Sequence, residues 1–66
     1  MKLADIMKQR RHILSLTQED LAEMGQVGLA TIKDIERGKG NPSLKTMEKI
    51  LDILGIEIEY KVRKPV

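Results

Sequence analysis

Sixty-six residues without cysteine and with one histidine, His12, exclude a disulfide framework and a zinc site built on cysteine and histidine. A chain this short buries only about 60% of its unfolded surface, so one small domain is expected, and with neither staple available an oligomeric partner becomes the expected source of further burial. The net charge of +2 is unevenly spread: residues 1–16 hold four bases and one acid, 17–27 hold Glu19, Asp20 and Glu23 without a base, and 28–40 return to a slight positive balance, a distribution that suits DNA or a solvated surface.

The first helix is predicted over residues 3–14, with Leu3, Ile6, Met7, Ile13 and Leu14 as its apolar stripe. Arg10 and Arg11 fall on or beside that stripe, where an arginine needs a carboxylate partner. Ser15-Leu16 breaks the pattern, and Leu16 with Leu21 is placed as a hydrophobic staple. Thr17 then caps a second helix, with Asp20 three residues on as the capping-box partner. Leu21, Ala22 and Met24 form its expected buried side. After the short link Gly25-Gln26-Val27, a third helix opens at Gly28 or Leu29, turns Ile32 and Ile35 inward and stops at Gly38. Two helices joined so tightly describe a helix-turn-helix, the alternative being an ordinary helical hairpin.

Residues 37–42 read as a loop, and Ser43 caps a fourth helix with Leu44, Met47, Ile50, Leu51 and Leu54 on its apolar face and Gly55 at its end. One apolar face on each of four helices predicts a bundle with a single core. From Ile56 to Val62 the period changes to strict alternation, which predicts a half-buried β-strand. No second strand pattern exists in the chain, so its partner is expected to be the same segment of a second copy. Residues 63–66 read as a loose end.

Catalysis has little to stand on. There is no nucleophile–base–acid set, no phosphate loop and no paired metal ligands, so the chain is expected to be no enzyme and to carry no cofactor. No apolar run is long enough to span a bilayer and no signal pattern occurs, which points away from the membrane and to the cytoplasm. Nucleic acid is the better-supported partner. With Ile32 and Ile35 inward, Leu29, Ala30 and Lys33 face out. Leu29 either packs partly under the second helix or meets a thymine methyl, and Lys33 reaches a base edge or a phosphate. Gln18 beside a helix amino terminus, Thr31, and the loop residues Arg37, Lys39 and Asn41 are the expected phosphate contacts.

These residues carry a resemblance. LTQEDLA at 16–22, Val27, TIKDIERGKGNPSL at 31–44 and LDILGI at 51–56 resemble the phage-repressor helix-turn-helix family (Cro/CI, also called Xre). The alternating tail is similar to that of HipB-type antitoxins and regulators, whose terminal strands pair between subunits. The resemblance implies an all-α, four-helix lambda-repressor-like domain over 1–55. It also implies a C-terminal dimerisation strand and tail over 56–66, the β-strand forming an intermolecular two-stranded sheet through Ile56, Ile58, Tyr60 and Val62. The implied function is a homodimeric transcriptional regulator, a repressor, on a palindromic site in double-stranded DNA. Gln18 would clamp a phosphate, Leu29, Ala30 and Lys33 would read bases, and Arg11 rather than Arg10 would form a buried bridge to Glu36. An antitoxin role with a HipA-type toxin as partner follows from the same likeness. A toxin-holding module with little DNA binding is the competing reading. One departure is Gln26, where the family's turn has glycine: either Gln26 goes left-handed at a cost of roughly 1 kcal/mol, or Gly25 absorbs the bend.

Overall fold

The computed structural model describes residues 2–65; Met1 and Val66, the last residue of the predicted tail, lie outside the described residues. Four helices occur among them: α1 (Leu3–Ile13), α2 (Gln18–Gly25), α3 (Leu29–Glu36) and α4 (Leu44–Ile53). Two begin with side-chain caps. Thr17 Oγ1 accepts from Asp20 N and Asp20 Oδ2 accepts from Thr17 N, both at 2.9 Å, which completes the capping box, and Ser43 Oγ accepts from Thr46 N at 3.1 Å. Each such cap is worth about 1 kcal/mol, because it satisfies amides that the helix leaves free.

All four helices end alike. A residue with positive φ follows the last turn: Ser15 at 56°, Gln26 at 55°, Gly38 at 74° and Gly55 at 72°. The next amide reaches back five residues, as in Leu16 N to Arg11 O at 2.9 Å, Val27 N to Ala22 O at 3.0 Å, Lys39 N to Asp34 O at 2.7 Å and Ile56 N to Leu51 O at 2.9 Å. These are Schellman endings, which satisfy the orphan carbonyls and turn the chain sharply. In three of them the residue after the turn (Leu16, Val27, Ile56) is apolar and packs on the core, so the ending also draws the next segment inward. Gly25 does not absorb the α2–α3 bend; Gln26 itself is left-handed.

α2 packs on α3 and α4, and α1 packs on α3. Met7, Leu21, Ile32, Ile50 and Leu54 are fully buried, joined by Ala22, Ile35 and Leu51. Burying each large side chain contributes about 1.5–3 kcal/mol. The apolar faces expected from periodicity are only partly used. Leu3, Ile13, Leu14, Met24 and Leu44 are exposed, because they lie at helix ends or flanks that no other helix covers. Arg10 also departs from expectation: its Nε donates to the Leu54 carbonyl at 2.9 Å, so a helix C-terminus replaces the carboxylate partner.

Among the described residues the tail forms no strand in the single chain. Ile56 is half-buried against the core, whereas Ile58, Tyr60 and Val62 are exposed. The physical reason is that a strand exists only through its neighbour's hydrogen bonds, and the described residues offer no neighbouring strand. No helix among the described residues is long and apolar enough to cross a membrane.

Candidate nucleic-acid interface

The site is built outward from one buried charge. Glu36, at the end of α3, is 3% exposed and accepts Arg11 Nε at 2.8 Å on one oxygen and Arg11 Nη2 at 2.9 Å on the other. Arg11 Nη1 continues to the Leu16 carbonyl at 3.0 Å. A single guanidinium thus ties α1, the α1–α2 link and α3 together. The hydrogen bond to Glu36, above all, raises the Arg11 pKa over its ordinary value. Gln18 Nε2 from α2 adds a third tie, at 3.3 Å to Glu36 Oε1. Its carboxamide is thereby half-buried and oriented, with one N–H still available.

α3 presents what remains. Ile32 and Ile35 point into the core, while Ala30 and Lys33 are exposed on the outer side. Leu29 is half-buried and packs against the core cluster, so its apolar surface is shared between the interior and the outer face. Gly28 supplies no side-chain cap, which leaves the first amides of α3 open. Thr31 and Asn41 line one shallow cleft of about 180 Å3 with Asp34 and Gly40. Arg37 is exposed and pairs with Asp34, one helical turn back. Lys39 is exposed, its amide bonded to Asp34 O.

Two neighbourhoods carry residues that periodicity did not single out. Gln18 shares an open cleft with Arg11, His12 and Thr17. Arg37 shares another with Lys2, which precedes α1, and Lys8 of α1. No spacing rule marks either, since the residues meet only once the helices cross. At α2 the Asp20 carboxyl is held below its ordinary pKa by the hydrogen bond from the Thr17 amide, and next by that with the Thr17 hydroxyl.

A short helix with no side-chain cap at its amino end, its inner side locked and its outer side free, held by a tight turn to the helix before it, is the geometry of a helix-turn-helix. The helix-turn-helix family model matches residues 6–61. The chain belongs to that family, in its Cro/CI (Xre) type. Among relatives of this helix-turn-helix chain, an HTH-type transcriptional regulator of Methanocaldococcus jannaschii is 47% identical over 53 residues, covering 80% of each chain. An HTH-type transcriptional regulator of Deinococcus deserti is 33% identical over 88% of this chain and 45% of its own length. The immunity repressor protein of Bacillus phage phi105 is 39% identical over 86% of this chain and 37% of its own. The helix-turn-helix chain thus spans under half of the Deinococcus and phage proteins, and most of the archaeal one.

Proposed function

We propose that this chain is a sequence-specific, double-stranded-DNA-binding transcriptional repressor that works as a homodimer on a palindromic operator. The observation that carries the reading is the division of α3: Ile32, Ile35 and Glu36 are fixed inside, while Ala30 and Lys33 stand exposed on the outer face. A helix so held can lie in a major groove without losing order on binding. Ala30 and Lys33 read base edges, with the outer surface of Leu29 beside them. Gln18, Thr31, Arg37, Lys39 and Asn41 position the protein on phosphates. The transcriptional regulators and the phage immunity repressor among the relatives support the same reading.

The dimer rests on the tail. Ile58, Tyr60 and Val62 are uncovered, and a 66-residue chain has little core of its own. Antiparallel pairing of two tails about a two-fold axis gathers those side chains on one shared face and satisfies the facing edge of each strand. It also presents two copies of α3 to half-sites about 34 Å apart or a multiple of that. An antitoxin role, with a HipA-type toxin held by the same homodimer, extends the reading and is tested by co-purification with the product of the adjacent reading frame. The main test is binding to the DNA upstream of the coding sequence against a scrambled duplex. The expected result is preferential binding with a steep salt slope; equal, weak binding to both would leave a protein-interaction module.

A further inference from the structure

The tail leaves its backbone open. Ile56 N closes the α4 ending on Leu51 O, and among the described residues no backbone group of 57–65 enters a backbone–backbone hydrogen bond. Exposure of the apolar side chains rises outward, from 37% at Ile58 to 70% at Tyr60 and 96% at Val62. The Tyr60 hydroxyl donates to Glu48 Oε1 of α4 at 3.3 Å, which ties the middle of the tail to its own bundle.

In two-fold antiparallel pairing, opposed residues share a face and one residue lies opposite itself. The sequence Glu57-Ile58-Glu59-Tyr60-Lys61-Val62-Arg63 makes the possible centres very unequal. Centring on Glu57, Glu59 or Lys61 sets a charge against its own copy. Centring on Ile58 opposes Glu57 to Glu59 twice, and centring on Val62 opposes Lys61 to Arg63 twice. Only Tyr60 as centre opposes Glu57 to Arg63 and Glu59 to Lys61, each twice, with no like pair. Opposite charges across a strand pair stabilise and like charges destabilise.

We infer that two copies of this chain pair through residues 56–64 with Tyr60 opposite Tyr60, a register selected by the charges of the tail. Ile58 then faces Val62 of the second copy. Ile56 faces Lys64, whose methylene stem lies over the isoleucine. The ammonium of that Lys64 arrives on the side where Glu48 and Asp52 of α4 border the cleft formed with Ile56, Ile58 and Tyr60. The acids of one bundle thus meet a base of the other. The inference rests on the homodimer proposed above and adds its register and contacts.

The chain has no cysteine, so single substitutions give clean cross-linking positions. Tyr60→Cys, Glu59→Cys and Lys61→Cys are oxidised mildly in the full chain, while the unsubstituted chain is sedimented in parallel. Opposed Cα atoms stand about 4.5–5.5 Å apart, within disulfide reach, whereas 59 to 59 and 61 to 61 are roughly 8 Å apart in this register. Tyr60→Cys is expected to cross-link at least tenfold faster than the other two. Faster cross-linking at 59 or 61, or none at any position in a chain that sediments as a dimer, overturns the register and leaves the dimer standing. A monomeric sedimentation profile overturns both. Should Tyr60→Cys itself fail to dimerise, the charges decide. Glu57→Arg is expected to weaken the dimer about tenfold and Arg63→Glu in the same chain to restore it, with no restoration by Lys61→Glu; the reverse pattern places the centre at Glu59.

Discussion

Both oxygens of Glu36 are bonded to Arg11, at 2.8 Å and 2.9 Å, in a pair whose side chains are 3% and 11% exposed. A bidentate ion pair so far from water is costly to break from one side, since the surviving charge stays buried and alone. Arg11→Met is expected to lower the unfolding free energy by about 3 kcal/mol, a large share of what a domain of this size has. Replacing both partners with apolar residues of similar volume should cost much less. Urea melts of the single and double variants check this, and equal losses would show that the pair's packing, not its charge, matters.

The reading face gives a second expectation. Lys33→Ala should relax sequence preference at one or two base pairs per half-site and Lys39→Ala should not. Lys39→Ala should instead weaken all duplexes alike and reduce the salt slope by about one. Binding to a panel of single-base operator variants at three salt concentrations separates the two outcomes.

Gln26 carries the strain of the α2–α3 turn, with φ at 55°. Left-handed backbone costs a residue with a Cβ about 1–2 kcal/mol, partly offset in a glycine variant by the freer unfolded chain. Gln26→Gly should therefore raise stability by about 0.5–1 kcal/mol and leave DNA affinity unchanged. A drop in the urea midpoint would mean that the glutamine side chain holds the turn by a contact of its own.

Asp20 sets the acid side. Its folded pKa lies below its ordinary value, so the stabilisation is complete above the unfolded value of about 3.9 and is lost as pH falls through the folded one. The capping box should thus survive at about pH 4.5 and fail only as pH falls below the ordinary carboxylate value. Carbon-detected titration of the Asp20 carboxyl checks the shift, and Asp20→Ala should flatten that part of the stability profile.

Much of the architecture was legible because it is local. Thr17 with Asp20, Ser43, Gly38 and Gly55 mark their helix ends by chemistry that acts over three to five residues, and Ile32 with Ile35 fixes the inner face of α3. What depends on distant neighbours was not legible. Periodicity assigned Ile13, Leu14, Met24 and Leu44 to the interior, yet it cannot tell how far an adjacent helix extends. Arg10 found a carbonyl where a carboxylate was expected, and Ser15 took a left-handed ending without the glycine that usually signals one. The Arg11–Glu36 bridge matches what the family resemblance implies, but Gln18 as a further partner of Glu36 emerges only when three helices meet. The tail's alternation is plain, but alternation specifies a face and not the strand that must complete it.

The central claim is that paired copies of this chain read DNA through the outer face of α3. Selection of duplexes from a random pool, with the unsubstituted chain and with Lys33→Ala side by side, puts it to the test. The unsubstituted chain should enrich a palindrome whose half-sites lie one helical turn or a multiple apart, and Lys33→Ala should lose preference at symmetric positions in both halves. Enrichment of an asymmetric or unrepeated site, or an identical consensus from Lys33→Ala, would contradict it.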